Sequence, residues 1–378
     1  MDAGSTSRRC RTDRIEDGSD TDTSVRRREL LKRAGQGAVV ASGLLAGCSA
    51  NEDGGDANPT GTATETSAKP SLDQFGVGVY LGDEGALEPW EEWFGRTVDY
   101  YSLNVPRDGW EKYRIENMPL ERPIADIAAD REIVVTVHLY PPEQTRMIAV
   151  ARGNHDEQFR AMARSFLDND LADATLRISH EMNGRWAATG AVGRPRWYVA
   201  AWRQVVDVLD GVDGTDFSYI WAPHIGELHM DATEAYPGDD WVDKVGLTVY
   251  DVNDLYYPED CDPECVRNRR RQVWDNIVDG NFGLNDWAQF ARDHGKPLVF
   301  PEYGVTARNR NGAGGGDNPL FFRWFADWML ANSDVVEWHN VWSFVAGSHY
   351  IGPESEHQSS EFPRHADASE AFKSLYGG

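Results

Sequence analysis

Short apolar segments alternate with amphipathic segments along most of this chain, and this alternation restricts the fold more than any other feature. Compact runs of Val, Ile, Leu, Tyr and Trp predict buried strands, whereas apolar residues three and four apart predict helices. The predicted strands are 75–80, 98–103, 132–139, 174–180, 217–223, 243–249, 297–301 and 336–344. Eight such strands with helices between them predict an α/β fold, a single (β/α)8 TIM barrel.

The helical segments complete this alternation. The clearest of them are 156–168, 196–210, 284–294 and 318–331. A chain of 378 residues could form one large domain or two ordinary ones, but neither an internal repeat nor a second pattern of elements is visible. We therefore expect one barrel domain, which begins near Leu72 and spans 72–378.

The N-terminal residues have a different composition from the barrel. Arg26 to Lys32 (Arg-Arg-Arg-Glu-Leu-Leu-Lys) precede a weakly apolar segment, 34–47, that is rich in Gly and Ala and too short to span a membrane. This order resembles a twin-arginine export signal. The segment ends in Leu-Ala-Gly-Cys, which resembles a lipobox, so we expect 1–48 to be a signal with Cys48 as the lipid anchor. The alternative is a plain N-terminal anchor helix with an incidental cysteine.

The segment 49–71 consists mainly of Ser, Thr, Gly, Asp, Glu, Asn and Pro. Such a composition cannot bury enough apolar surface to fold, which predicts a disordered linker. We therefore expect an exported protein, either tethered by lipid to the extracellular face of the cell membrane or secreted.

The chain is strongly acidic, with 62 Asp and Glu against 37 Lys and Arg and a formal charge of −25. This excess argues against nucleic acid as a partner, and it limits contact with the membrane to the lipid anchor. The acidic residues are spread along the chain, which indicates a solvated surface. A high-salt habitat would explain it, because salt screens the self-repulsion, and an ordinary acidic secreted protein is the alternative. We expect a monomer.

Two of the four cysteines lie within the predicted barrel. Cys10 belongs to the leader and Cys48 to the lipobox, which leaves Cys261 and Cys265 in Cys-Asp-Pro-Glu-Cys. Outside the cell this pair predicts a local disulfide that fixes an inserted loop. A metal site is the weaker alternative, because only two thiols and no nearby histidine are available.

Two glutamates stand where predicted strands end. Glu181 follows the strand 174–180, and Glu302 follows the strand 297–301. A carboxylate at the end of a buried strand is costly to desolvate unless it is paired. One such glutamate is usually a solvated loop residue or a helix cap. Two of them on separate strands indicate a catalytic site, because the C-terminal ends of parallel barrel strands converge on one face.

The residues around Glu181 favour the same interpretation. By the alternation of a strand, Arg177 points the same way as Ser179 and Glu181. His180 points to the opposite face unless the strand twists or bulges at its end. Trp186 lies in a glycine-containing loop, where a tryptophan is less often a core residue than in a strand, which favours a role in the site.

Four further residues lie at or beside the ends of predicted strands. Tyr250 and Trp342 end apolar strands, so each could be a core residue or part of the site. His138 also ends a strand and could line the pocket, and His224 is a similar but weaker candidate. A lone histidine in such a position more often satisfies a local hydrogen bond.

The stretch from His180 to Trp186 (His-Glu-Met-Asn-Gly-Arg-Trp) resembles glycoside hydrolase family 26, whose best-known members are endo-β-1,4-mannanases. Three further segments agree in the right order. They are 237–250, similar to the sixth strand of the family, 296–304, similar to its nucleophile strand, and 341–344, similar to its eighth strand. The resemblance covers most of 72–350.

This resemblance implies a retaining hydrolase of β-linked polysaccharide. Glu181 would be the general acid/base and Glu302 the nucleophile, with Tyr250 donating a hydrogen bond to the nucleophile. The other implied substrate contacts are Arg177, His180, Trp186 and Trp342. Cleavage with retention of the anomeric configuration requires two carboxyl groups about 5–5.5 Å apart, one protonated and one ionised. It needs neither a metal nor an organic cofactor.

Two positions depart from the family pattern, and both bear on the substrate. Thr248 stands where the family often has an Asp, and Ser343 stands where mannanases often have a basic residue. β-1,4-Mannan is therefore the first expectation, with β-1,3-glucan, mixed-linkage glucan or β-1,3-xylan as enzymatic alternatives. A non-catalytic carbohydrate-binding lipoprotein and a structural surface protein are the alternatives from other classes.

Overall fold

The structure, a computed structural model, describes residues 70–378 except 83–85, 119, 121, 309–311 and 359–360. The predicted export signal, Cys48 and the linker as far as residue 69 lie outside the described residues. Those expectations therefore stay predictions.

The described residues form eight parallel strands that close into one barrel in sequence order. The strands are β1 (Gly76–Tyr80), β2 (Tyr100–Asn104), β3 (Glu132–Val137), β4 (Thr175–Ile178), β5 (Ser218–Trp221), β6 (Lys244–Asp251), β7 (Leu298–Val305) and β8 (Val336–Trp342). Each strand pairs with the next, and β8 pairs with β1 to close the sheet. The predicted (β/α)8 barrel is confirmed, and every predicted strand overlaps an observed one.

Helices surround the barrel. Within the described residues they are α1 (Leu87–Phe94), α2 (Ile124–Ala128), α3 (Met147–Ala151), α4 (Asp156–Leu167), α5 (Pro195–Asp210), α6 (Pro263–Asp279), α7 (Leu284–Asp293), α8 (Pro319–Ala331) and α9 (Ala366–Tyr376). The four predicted helices correspond to α4, α5, α7 and α8. Among the described residues, no helix is both long enough and apolar enough to cross a membrane.

The sequence pattern does not reveal α6, because four arginines lie in the stretch between its buried residues Val266 and Val273. Its N-terminus is nonetheless well defined. Asp262 accepts a hydrogen bond from the Cys265 backbone N–H at 2.8 Å, and Pro263 occupies the first turn. Cys261 and Cys265 form a disulfide with their Cα atoms 5.3 Å apart. The bridge therefore joins the loop before α6 to the first turn of that helix, whereas the sequence suggested an inserted loop.

The hydrophobic core has two parts. The larger part lies between the sheet and the helices, and a smaller cluster fills the inside of the barrel. The inner cluster consists of Val134, Ile220, Ala222, Val299 and Trp338, with Tyr100 packed against it. The rings of Tyr100 and Trp338 stack with their centroids 4.6 Å apart. The barrel is thus a packed interior and not a pore, as expected for eight strands.

Polar side chains take over towards the C-terminal ends of the strands. Ser102 donates a hydrogen bond to Asn340 at 2.9 Å, and Asn340 donates one to the Pro301 carbonyl at 3.2 Å. Gly78 faces the same layer, where a Cβ atom would lie only 2.6 Å from the Asn340 side-chain oxygen. The interior therefore changes from apolar to polar just below the site described next.

Replacing Trp338 with Ala should destabilise the fold severely, because it empties the largest side chain of the inner cluster. We expect the free energy of unfolding to fall by about 3–5 kcal/mol. Urea denaturation followed by fluorescence measures it. Trp197→Ala is the matched control, because 42% of Trp197 is exposed, and its effect should stay within about 0.5 kcal/mol. Equal effects of the two substitutions would contradict a packed barrel interior.

Candidate active site

The segment after β4 departs from an extended conformation at two residues. Ser179 has a φ of 49° and Glu181 a φ of 52°, in the left-handed region that non-glycine residues rarely adopt. Such a conformation costs on the order of 1–3 kcal/mol per residue. Backbone hydrogen bonds hold it in place, from Ser179 to the Val137 carbonyl at 2.7 Å and from Glu181 to the Ala222 carbonyl at 2.8 Å.

This conformation overturns the alternation expected for these residues. Ser179 does not share the direction of Arg177, because its buried hydroxyl forms a hydrogen bond with the Thr189 hydroxyl at 2.8 Å. His180, expected on the opposite face, lies beside His138 with ring centroids 5.6 Å apart. The two left-handed residues end the period-two pattern after Ile178, the last residue of β4.

Glu302 lies inside β7 and is buried, because the strand runs on to Val305 and not to residue 301 as predicted. Arg177 donates a hydrogen bond to one of its carboxylate oxygens at 2.6 Å. Tyr250 donates another to the second oxygen at 2.8 Å. Arg177 is itself fully buried and donates to the Thr248 hydroxyl at 2.6 Å. Both oxygens of Glu302 are thus fixed in position by donors from β4 and β6.

The charge of Glu302 is set by opposing effects. Burial raises the pKa of Glu302, the Arg177 guanidinium lowers it, and the nearby charge of Glu181 raises it again. The net direction is upward. Because Arg177 and Tyr250 both favour the charged form, they act against the cost of burying a carboxylate.

Glu181 has a more open environment than Glu302. Its side chain is half-buried and accepts a hydrogen bond from the indole N–H of Trp186. The Trp186 ring folds back over Gly184, where a Cβ atom would lie 2.5 Å from the ring. Gly184 is therefore required for this contact. The exposed face of Trp186 remains available, with 51% of the residue accessible.

Two neutral histidines flank Arg177. Burial, together with the positive charges of Arg107 and Arg177, lowers the pKa of His138 to about 3. Burial and Arg177 likewise hold the pKa of His180 well below its ordinary value. Both imidazoles are therefore uncharged at neutral pH. The buried Nδ1 atom of His180 has no hydrogen-bond partner within the described residues.

Glu181 and Glu302 line the same cleft, which has a volume of about 950 Å³. Trp186, Tyr250 and Trp342 also line it. The Trp342 ring is stacked on Tyr80, with centroids 3.8 Å apart and planes 22° apart. The barrel mouth thus presents two carboxyl groups between aromatic side chains.

His349 is a cleft residue that the sequence pattern does not indicate. It lies between β8 and α9, and its ring is 4.4 Å from that of Tyr250. Its Nδ1 atom lies 3.0 Å from the Val305 carbonyl oxygen, which ties the loop to β7. His349 belongs to neither a predicted strand nor a motif, so only the fold places it at the site.

Asn183 holds the loop after β5 in position through three hydrogen bonds. Its buried amide donates to the carbonyls of His224 and Gly226 and accepts from the His224 backbone N–H, over 2.8, 3.2 and 2.9 Å. His224, a weak candidate from the sequence, is thereby held against the cleft, 5.7 Å from the Trp186 ring.

The two departures from the family pattern have different consequences. Thr248 remains in contact with the site, since it accepts a hydrogen bond from Arg177. Ser343 is fully buried, and its hydroxyl donates to the Ile351 carbonyl. Ser343 therefore supports the loop after β8 and offers nothing to a ligand. In the described part of the chain, no group of three or more His, Cys, Asp or Glu side chains is arranged to hold a metal ion.

Comparisons with known proteins agree with this architecture. Residues 161–267 match the sequence profile described as Glycosyl hydrolase family 26. The chain is 27% identical over 207 residues to a mannan endo-1,4-beta-mannosidase from Bifidobacterium adolescentis, over 52% of this chain and 19% of that protein. It is 23% identical over 257 residues to a beta-1,3-xylanase from Alcaligenes sp, over 59% of this chain and 49% of that protein.

A solved structure, GH26C from Muricauda sp. MAR_2010_75, shares the fold. Its TM-score is 0.50 at 19% identity, over 81% of this chain and 86% of that chain. At this identity the likeness concerns the fold alone. The matched region spans about a fifth and about half of the lengths of the two curated relatives.

Arg177→Met should raise the pKa of Glu302 further, because it removes the largest influence that favours the charged carboxylate. Tyr250→Phe should raise the pKa by less. NMR titration of ¹³C-labelled glutamate side chains measures both changes.

Glu181→Gln provides a control of opposite sign. It removes a like charge, so the pKa of Glu302 should fall. If all three substitutions shifted the pKa in one direction, a general structural disturbance would explain the shifts better than these contacts.

Proposed function

We propose that the barrel is a glycoside hydrolase family 26 domain and that the protein is a retaining endo-β-glycanase. One observation carries this proposal. Glu181 and Glu302 line a single cleft, one half-buried beside Trp186 and the other buried between Arg177 and Tyr250. Their different surroundings suit one carboxyl group that exchanges protons and one that acts as a nucleophile.

In the first step the Glu302 carboxylate attacks the anomeric carbon. The bond from that carbon to the leaving oxygen breaks, and Glu181 gives its proton to this oxygen. Arg177 and Tyr250 hold the two oxygens of Glu302, so that the attacking lone pair is already oriented when the sugar binds. The product is a glycosyl ester of Glu302 and a shortened leaving chain.

In the second step a water molecule replaces Glu302 on the anomeric carbon. Glu181, now a carboxylate, takes a proton from the water, and Glu302 leaves as a carboxylate. The net reaction is hydrolysis, and two displacements retain the anomeric configuration. Trp186 and Trp342 supply flat apolar surfaces for the C–H faces of the sugar rings.

β-1,4-Mannan is the first candidate substrate, supported by the similarity to the mannan endo-1,4-beta-mannosidase. β-1,3-Xylan is the second, supported by the similarity to the beta-1,3-xylanase. Ser343, the residue after Trp342, is buried and offers no cation to the substrate. Both polymers should therefore be tested. A non-catalytic binding protein is less well supported, since it would have no need of an oriented nucleophile.

We also propose that the protein acts outside the cell, tethered through Cys48 by the linker 49–71. The paired arginines and the Leu-Ala-Gly-Cys sequence support this proposal. The bridge between Cys261 and Cys265 suits an oxidising compartment. A tethered enzyme would release its fragments next to the cell.

Glu302→Gln and Glu181→Gln should both abolish most activity on the polymer. We expect kcat to fall by roughly a thousandfold or more for Glu302→Gln, because no glycosyl ester can form. For Glu181→Gln, we expect kcat on the polymer to fall by roughly 10²–10⁴-fold. On an aryl glycoside with an acidic phenol, the Glu181→Gln variant should form the glycosyl ester of Glu302 almost as fast as wild type. Such a phenol leaves without needing a proton. Reducing-sugar and phenol-release assays separate the two roles.

Glu234→Gln is the matched control, because Glu234 is exposed and does not line the cleft. It should keep wild-type activity. Wild-type protein that binds polysaccharides from a panel of mannans, glucans and xylans, but cleaves none, would instead favour the binding-protein alternative.

The first product formed should have the same anomeric configuration as the bond that is cut. ¹H NMR spectra recorded within the first minutes of hydrolysis distinguish the anomers before they interconvert. An inverted first product would exclude Glu302 as the nucleophile, since inversion needs a water between the two carboxyl groups.

A further inference from the structure

We propose that Asp251 is a positioning residue, whose buried carboxyl group keeps Tyr250 aligned on Glu302 by fastening the glycine loop, residues 313–317, to the end of β6. Asp251 is the last residue of β6 and directly follows Tyr250. This inference rests on the proposed function and names a residue behind the site that prepares the nucleophile.

The Asp251 side chain points away from the cleft. Tyr250 lines the cleft, and successive side chains of a strand point to opposite faces. Asp251 does not belong to the cleft lining, and only 1% of it is exposed. Any effect that it has on the reaction therefore passes through other residues.

Keeping a charged carboxyl group in this position costs free energy. Burial raises the pKa of Asp251 to about 6. Asn318, Tyr257 and the charge of Arg270 act in the opposite direction. The Arg270 guanidinium is itself bonded to the Asp317 carbonyl at 2.6 Å. Because packing alone would be served as well by an apolar side chain of similar size, the buried carboxylate indicates a specific hydrogen-bonding role.

The hydrogen bonds of Asp251 hold both the glycine loop and the helix that follows it. The Asn318 side-chain amide donates to the Asp251 carboxylate at 2.7 Å. The Asn318 side-chain oxygen caps α8 by accepting from the Leu320 backbone N–H at 3.2 Å. The Gly315 backbone N–H donates to the Asp251 carbonyl at 2.9 Å. A Cβ atom at Gly315 would lie only 2.0 Å from the carboxylate, so only glycine lets the loop come this close.

The glycine loop in turn supports the wall against which the Tyr250 ring packs. The Gly316 backbone N–H donates to the Thr306 carbonyl at 2.9 Å. The Thr306 hydroxyl lies 3.2 Å from Nδ1 of His349, whose ring is 4.4 Å from that of Tyr250. Thr306 and His349 both line the cleft. Asp251 thus reaches Tyr250 from two directions, along the backbone of β6 and through this wall.

The alignment of Tyr250 matters because its hydroxyl donates to Glu302 at 2.8 Å. A misplacement of about 1 Å in such a site can lower the rate roughly a hundredfold. The hydrogen bond from Tyr250 also favours the charged form of Glu302. If the glycine loop loosens and this bond weakens, the pKa of Glu302 rises, and that pKa reports on the role of Asp251.

Asp251→Ala and Asn318→Ser each remove one partner of the central hydrogen bond. The serine keeps a side chain that can cap α8, and it changes no charge. Both substitutions should raise the pKa of Glu302, as Tyr250→Phe should, in an NMR titration of ¹³C-labelled glutamate side chains. Removing the negative charge of Asp251 would by itself lower that pKa, so the sign separates lost alignment from a change of charge.

Asp243→Ala is the matched control. Asp243 immediately precedes β6 at its opposite end and accepts a hydrogen bond from the Tyr219 backbone N–H at 3.0 Å. Its replacement should leave the pKa of Glu302 unchanged. In a Tyr250→Phe background, neither Asp251→Ala nor Asn318→Ser should raise this pKa further, because both act through the same hydrogen bond.

Activity gives an independent measurement. On β-1,4-mannan or β-1,3-xylan, whichever wild type cleaves, both substitutions should lower kcat roughly tenfold to a hundredfold. KM should change little, because neither Asp251 nor Asn318 lines the cleft. A rise in KM without a fall in kcat would contradict the inference.

The outcomes separate this inference from the proposed function. If neither substitution raises the pKa of Glu302, or if the rise persists in the Tyr250→Phe background, the positioning role is wrong while the hydrolase stands. If wild type cleaves no polysaccharide but both substitutions raise the pKa only when Tyr250 is present, the hydrolase is wrong while the coupling of Asp251 to Tyr250 stands.

Discussion

The ion pair between Arg177 and Glu302 is the interaction on which the site depends. Both side chains are buried, and burying two charges costs more than their attraction returns unless the remaining polar atoms are satisfied. Tyr250 and Thr248 satisfy part of that requirement through hydrogen bonds to the pair. The four residues come from β4, β6 and β7, so the pair fixes the relative positions of three strands. A carboxylate held this way is oriented before any ligand arrives, and that preparation is what a nucleophile needs.

The two sides of the site use different physical means. Glu302 lies within β7 and is positioned by side chains of β4 and β6, whereas Glu181 is positioned by a strained backbone. The left-handed conformations at Ser179 and Glu181 turn the chain out of β4, and hydrogen bonds to the carbonyls of Val137 and Ala222 hold that turn. The result is one buried carboxyl group and one that water and ligand can reach. Such a difference in environment is the usual basis for dividing the roles of two carboxyl groups.

The strands and the catalytic candidates could be predicted because their signals are local. Buried parallel strands give continuous apolar runs, and Glu181 lies in a specific short motif. The sequence pattern predicts that β7 ends at residue 301, which is too early. Pro301 and Gly304 interrupt the apolar pattern, while the pairing with β6 and β8 continues. The predicted direction of the Ser179 side chain is wrong, because a left-handed backbone conformation leaves no trace in the periodicity of the side chains. Residues such as His349, which reach the site from loops, have no local signal because their position depends on the whole fold.

The pairing of β8 with β1 has a consequence for how the protein is made. Residues Gly76 to Tyr80 meet their partners Trp338 to Trp342 only after nearly the entire barrel has left the ribosome. Until then β1 exposes an unpaired edge, and the aromatic stack of Tyr80 on Trp342 cannot form. A chain that ended before β8 would therefore present an open sheet edge able to pair with other chains. The last strand covers this edge, and through Trp342 it also lines the cleft.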